Sequence, residues 1–562
     1  MNDCKNLIPP QLEDFRQQVS EYGAHLTSGG SQENWNQVID VEGVDRADQV
    51  LEHLFCAFVI KYPKPQLSQT ELDAFVQLSH ACLHELLVYY REKRSTAVNG
   101  WNYLQRLINH AVTHTETVQQ EALRDFLFLV TDIGLIFDPP VRQAIREWME
   151  NLFDQQLDGQ KEASQIHGHL ARWHDPFLSL INQVTEGGKV VNEFDCYGSI
   201  ENQLTFLPES SIQDIVTHGL SFSRPMVKEI IPLIVLHPCD DIAEIVLDIL
   251  LNEYGSVTPL GLSRLICMRN WLPVIRQPLL DQVIRVVRRG LAGDAEANDN
   301  PSHAHNSTCV RQLASTVDGS GAQNIIAMYK SSAGFRVFVG VVKEHVGWVD
   351  VWASGWTTRA ECERIIRSFQ KSLYSLDVSN DYLSFIFAQG LAWNVESQLL
   401  PHPQFLQWVE TAKISPLNPN DFGTEAIAAL IDIDEDFRLT PFQVKQTLDV
   451  SKRWLRQGQF AMGWFESGDH VENYLAELIP EDVPDIVEDC VEQIFEPLRD
   501  KWQDRLNRMA FWAYCNGKRR GPKAVDFYVM SKLMGSDFPL HNLPFVRDLA
   551  VATLTAYTYR DD

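Results

Sequence analysis

Apolar residues recur at intervals of three and four along most of this chain, and that pattern restricts it chiefly to packed helices. In "DRADQVLEHLFCAFVIKYP" the side chains of Val50, Leu51, Leu54, Phe55 and Phe58 fall on one stripe. The prolines of "YPKP" end the run, because a pyrrolidine nitrogen cannot donate the next helical hydrogen bond. The spacing predicts further helices over 71–91, 101–113, 119–137 and 141–153, and short turns such as "DPP" from Asp138 imply antiparallel neighbours. These segments form an expected N-terminal helical bundle over 1–160. At 562 residues the chain exceeds what one core usually supports, so several domains are expected.

Residues 161–292 begin irregularly, through "EGGKVVNEFDCYGSIENQLTFLP", and then return to helical spacing in "RPMVKEIIPLIVLH", "PCDDIAEIVLDILLNEYG", "TPLGLSRLICMRNW" and "QPLLDQVIRVVRRGLAG". Pro225, Pro238, Pro259 and Pro278 each stand near a helix start, where a missing N–H costs little. This proline-punctuated succession of short amphipathic helices resembles a HEAT-type α-solenoid over roughly 208–292, in architecture alone. The resemblance implies antiparallel helical hairpins in an array whose groove receives another protein.

The small, polar stretch "GDAEANDNPSHAHNSTC" predicts a linker, taken over 293–322. The period then changes. Two β-rich runs around "KSSAG", 324–329 and 335–342, predict a hairpin. Thr358 with Glu361 three residues on is the signature of a capping box opening a helix to about Leu373. A small α+β unit, β-hairpin plus helix, is therefore expected over 323–375. Helical spacing resumes for a C-terminal domain over 376–562, including a single helix over 483–505. The expected fold is mainly α, helical hairpins in a HEAT-like or solenoid-like array with an α+β insertion.

Net charge is −27, with acids spread along the chain, so a phosphate backbone is repelled unless a local basic face overcomes the field. No apolar run reaches membrane-spanning length; "FLFLVTDIGLIF" and "IIPLIVL" read as buried helices. The N-terminus "MNDCKNLIPPQLEDF" lacks the apolar core of a secretory signal, and the ten cysteines include no C-x-x-C pair. A cytoplasmic protein with reduced, structural thiols and no cofactor is the expectation.

"HACLHE" places His80 and His84 four apart, and His110 and His114 repeat the interval, so two helices could present four imidazoles to a metal. Leu83 stands where an inverted zinc motif carries glutamate, and boundary histidines flanking a core stripe are the simpler reading. His303, His305 and Cys309 lie close together in the linker but lack a fourth ligand. "VDGSGAQ" has glycines without the Lys and Ser/Thr of a phosphate loop, and reads as a turn. "DIDEDF" opens like a calcium loop, yet Phe437 and Gln443 stand where glycine and glutamate are required. "NGKRRGPK" is the compact basic patch, with Lys518, Arg519, Arg520 and Lys523. Trp348, Trp352 and Trp356 recur every fourth residue, so on a helix or a strand alike they would share one face, as core or as a binding patch.

No nucleophile elbow is present, and no cysteine has a recognisable catalytic setting. The reading that results is a non-enzymatic scaffold or regulatory adaptor binding another protein. Two alternatives stand beside it: an enzyme or metal protein with its site in the N-terminal bundle, and a nucleic-acid adaptor acting through the basic loop.

Overall fold

The structure, a computed structural model, describes residues 83, 86, 87, 90, 95–113, 120–158, 192–221, 225–293, 307–414, 416–423, 426, 427, 429, 431, 439–457, 459–461, 463–478, 485–516 and 521–558. The chain divides into two compact units. The first comprises Met1–Arg172, Ile200–Ile212 and Tyr557–Asp562, and the second Trp173–Ser199 and Gln213–Ala556.

In the first unit, α1 (Ser95–Thr113), α2 (Gln120–Asp132) and α3 (Pro139–Asp158) lie where helices are expected, with ends displaced by up to six residues. Their stripes meet in one core, with Trp101, Leu104 and Ile108 from α1, Phe126, Leu127 and Val130 from α2, and Ile145 and Trp148 from α3. The "DPP" turn is held from below. Buried Gln105 accepts from Asp138 N–H at 2.6 Å and donates to the Asp138 carboxylate at 3.2 Å, which satisfies a polar side chain that burial would otherwise penalise.

Next come α4 (Glu193–Leu204), α5 (Glu209–Ser221), α6 (Pro225–Ile230, running into a 3₁₀ turn, Ile231–Leu236), α7 (Asp240–Asn252), α8 (Pro259–Met268) and α9 (Gln277–Gly293). Pro259 occupies the first turn of α8, and Thr258 caps that helix by accepting from Gly261 N–H at 2.9 Å. "IPLIVL" is wholly buried, as its composition requires. Among the described residues no helix is long and apolar enough to cross a membrane. The buried guanidinium of Arg264 on α8 is compensated by Glu193, by the Glu229 carbonyl at 3.2 Å and by Glu410 at 2.8 Å.

The linker expectation fails after residue 307, because Thr308–Ser315 is a strand, β1. It is followed by β2 (Ala322–Ser331), β3 (Gly334–Lys343), β4 (Gly347–Ala353), α10 (Arg359–Ser372) and β5 (Ser375–Asp377). The sheet is antiparallel with order β4-β3-β2-β1-β5. The predicted hairpin is thus its β2–β3 centre. Composition hid β1 because its polar residues are satisfied across strands: Gln312 donates to Val378 O at 3.0 Å, and Arg311 pairs with Asp377 at 2.8 Å. Half of the predicted capping box forms. Thr358 accepts from Glu361 N–H at 3.3 Å, while the Glu361 carboxylate turns to Arg364.

One sheet face packs on α10 through Leu313, Ile326, Met328 and Val337 against Cys362 and Ile366. The other meets α11 (Asn380–Ser397) and α12 (Pro403–Ala412), where Trp348 lies 5.2 Å from Phe387 and 4.9 Å from Phe405, and Phe338 stacks on Trp408 at 5.5 Å. Only glycine fits at residue 340, since a Cβ there would come within 2.7 Å of Trp348 and 2.9 Å of Trp408.

Further described helices are α13 (Pro441–Ser451), α14 (Trp454–Gln457), α15 (Asp469–Glu477), α16 (Ile486–Cys490), α17 (Arg499–Tyr514), α18 (Ala524–Met534) and α19 (Pro544–Thr558). The continuous helix expected over 483–505 is broken: α16 passes into a π turn, Val491–Phe495, and α17 starts after Pro497, whose ring forbids an uninterrupted ladder. The apolar residues of that acidic stretch do form its inner face, with Val491, Ile494 and Phe495 buried.

Candidate functional site

The three tryptophans do not share a face. Val341 pairs with Asp350 but Val342 pairs with Trp348, so Val349 is an extra residue in β4, a bulge that shifts the alternation by one. Trp348 therefore points into the α11–α12 core at 1% exposure, and Trp352 points to the opposite face at 46%. Trp356 lies beyond the strand with the Arg336 guanidinium 4.7 Å over its ring. Trp348 is thereby removed as a partner-binding residue.

Of the histidines, His110 sits exposed on α1, and His80, His84 and His114 lie outside the described residues. So do His303, His305 and the acids of "DIDEDF". Cys309 is described, half-buried in β1 with its thiol 3.5 Å from Gln312 Oε1. Among the described residues no group of three or more His, Cys, Asp or Glu could hold a metal. The glycine loop is a turn, as expected. Gly319 N–H donates to Gly463 O at 2.8 Å, Gly321 N–H to Asp318 O at 3.0 Å, and Ala322 N–H to the Asp318 carboxylate at 2.9 Å, so these donors are spent inside the fold.

Of the basic patch, Lys518, Arg519 and Arg520 lie outside the described residues, but Lys523 is described and borders a cavity of about 370 Å³. Asp449 and Val450 from the end of α13, Arg453 and Trp454 at the start of α14, and Phe460 form one side; Pro522, Lys523 and Asp526 form the other. Each wall has a local cause. Thr440 and Gln443 close a reciprocal capping box at the start of α13, which sets that helix's direction. Trp454 is fixed by packing 5.0 Å from Phe527 and 5.2 Å from Phe545, so it presents a rigid edge. Lys523 is the N-cap residue of α18, and Asp526 follows in its first turn, where the helix dipole favours an acid.

Asp526 is buried, and buried Thr447 donates to its Oδ1 at 3.1 Å. Burial pushes its carboxyl above the ordinary range, against the Thr447 hydrogen bond and the Lys523 charge, which act the other way. A native value above the unfolded one means that folding is opposed by ionisation, so this residue lowers stability as pH rises through the carboxylate range. Asp526→Asn keeps the shape and the acceptor. It is expected to move the urea midpoint upward at pH 7, with the gain fading below about pH 4 where both states hold the proton; a lower midpoint at pH 7 would refute the sign. A buried carboxylate at a cavity wall makes Asp526 a candidate binding group. Chemically the cavity suits an apolar group carrying an N–H or O–H donor toward Asp526, and its other charged lining residues are Asp449, Arg453 and Lys523.

Sequence reading found Lys523 but missed Asp526, because Thr447 and Asp526 are 79 residues apart and no local spacing joins them. The available signal was one acid interrupting the apolar run "AVDFYVM".

Residues 424–558, which contain every residue of the cavity, match the family model described as the Y4lR C-terminal helical domain. Residues 208–290 match the Y4lR second domain. The chain is similar to y4lR. Its identity with the uncharacterized protein y4lR of Sinorhizobium fredii is 22% over 380 residues, covering 66% of this chain and 70% of that protein. No solved structure matches significantly.

Proposed function

We propose that this chain is a non-enzymatic adaptor that binds another protein through the cavity between α13 and α18. The observation that carries the reading is one exposed aromatic side chain on the approach to that cavity. Phe442 on α13 is 76% exposed, and Phe442, Gln446 and Asp449, four and then three residues apart, run along one helix face to the cavity. Seven residues of helix span about 10 Å, the separation of two anchor side chains on a docked helical or extended segment. Lys445 and Lys452 offset Asp449 on this approach, and Arg453 and Lys523 line the cavity in a chain of net charge −27, so the partner segment we propose is an acidic one with two apolar anchors. On this reading the helices of 208–292 are HEAT-like hairpins, and the protein works in the cytoplasm.

The test is a photo-crosslinking residue in place of Phe442 in the full chain, expressed in cells. One adduct is expected, its crosslinked peptide carrying carboxylates beside an apolar anchor, and its yield should fall about tenfold in a Lys523→Glu chain that melts normally. No adduct, or one indifferent to Lys523→Glu, would reject the proposal.

A further inference from the structure

Between α8 and α9 the chain makes a tight turn, Pro273 to Arg276, closed by Arg276 N–H donating to Pro273 O at 3.0 Å. Its two central residues are Val274 and Ile275, exposed at 78% and 71%. β-Branched side chains are poor turn formers, and Gly, Asn, Asp or Ser would ordinarily stand there. The turn is nevertheless anchored on both sides. Trp271 is buried and donates to Leu417 O at 2.8 Å. Arg276, also buried, donates to Val235 O at 3.1 Å, His237 O at 2.9 Å and Pro238 O at 3.2 Å, and pairs with Asp240 at 2.7 Å. Two aliphatic side chains are thus held out to solvent by a guanidinium committed to four partners.

Along α9, directly after this tip, Pro278, Gln282, Arg285 and Arg289 recur at four, three and four on the exposed face, with exposed Arg288 beside them. Arg285 Nε turns to the carbonyl of Asp281, and Arg288 and Arg289 have no ion pair among the described residues. At 1.5 Å per residue these arginines stand about 12 to 18 Å beyond the start of α9.

We infer that the 273–276 turn and the arginine face of α9 form a second docking surface, for a partner protein that offers an apolar pocket bordered by carboxylates. Val274 and Ile275 enter the pocket, and the planar guanidinium groups of Arg285, Arg288 and Arg289 pair with the carboxylates. Aliphatic tips offer no face on which a base can stack, and the net charge of −27 repels an extended polyanion or an anionic bilayer more than it repels a local carboxylate pair. The inference rests on the adaptor reading but uses a surface that belongs to the 208–290 match rather than to the cavity.

A photo-crosslinking residue in place of Ile275, in the full chain in cells, tests it. The expected result is an adduct with one other protein at a segment rich in Asp or Glu. Its yield should fall about tenfold or more when Arg288→Glu and Arg289→Glu are combined, and should recover when the partner's carboxylates are changed to lysine. An adduct with another part of the same chain, with a second copy, with lipid or with nucleic acid would overturn the inference, as would no adduct or one that ignores the charge reversal. The Phe442 crosslink reads the cavity independently, so its loss rejects the adaptor reading, while loss at Ile275 alone rejects only this surface. Thermal melting of each variant separates misfolding from lost binding.

Discussion

Replacing Glu344 by alanine is expected to destabilise the chain by roughly 3 to 5 kcal/mol, the range for leaving a buried partner charge uncompensated. Glu344 follows β3 and receives Arg505 in a bidentate pair, at 2.9 Å and 2.7 Å, with Arg508 on one of the same oxygens. Both arginines lie three residues apart on α17, buried over Trp502 and Trp393 respectively. Arg505 also donates to Gly319 O at 3.3 Å, so one guanidinium joins the β3 end, the β1–β2 turn and α17. Without the carboxylate, Arg505 keeps only the Gly319 carbonyl and the more distant Glu466 carboxylate at 3.9 Å, and Arg508 loses the carboxylate it donates to. Glu361 and Arg364 form an exposed pair, and Arg364→Ala is expected to leave the urea midpoint almost unchanged.

The same residue predicts an acid dependence. Burial opposes ionisation of Glu344, but the charges of Arg505 and Arg508 and the Arg505 hydrogen bonds overcome it and hold the carboxyl well below the usual range. In the unfolded chain it titrates near an ordinary glutamate, about 4.3, so below that pH the unfolded state binds more protons than the folded one. The contribution is therefore fully present above that value and is lost progressively as pH falls beneath it. Urea unfolding from pH 7 to about pH 3 should show the wild-type chain losing more stability than Glu344→Gln over that window. Equal losses would mean that the pair does not hold the proton off.

Trp348→Ala is expected to cost about 3 to 5 kcal/mol, as for other buried aromatic truncations, and Trp352→Ala less than about 1 kcal/mol. The first opens a cavity between the sheet and the α11–α12 layer, where Trp348 touches Phe387, Phe405 and Trp408. The second removes a ring already half in water. Trp348→Phe should fall between them, because the indole N–H has no acceptor among the described residues and its removal forfeits packing alone. Guanidinium chloride midpoints would rank the three, and near-equal losses for Trp348→Ala and Trp352→Ala would contradict the bulge in β4.

How far the sequence reached is clearest residue by residue. Helical spacing located α1, α2 and α3, the four segments after Pro225, and α10 with its Thr358 cap. Each of these rests on contacts within one turn or one stripe, which local order carries. The β2–β3 hairpin was legible for the same reason. The site was only half legible: Lys523 announced itself by composition, while Asp526, Thr447, Trp454 and Phe460 meet across long stretches of chain.

By itself, the sequence determined the mainly helical class, the positions of most helices and the one switch to strand, since these follow from backbone sterics and a repeating apolar face. Only the tertiary structure decided that Trp348 and Trp352 part company, that Glu344 finds Arg505 on a helix 161 residues away, and that Thr447 holds Asp526 beside a cavity. One extra residue in a strand reverses every side chain after it, and a buried charge is tolerable only where distant partners arrive together. Neither condition is written in local spacing, because both depend on which elements pack against which.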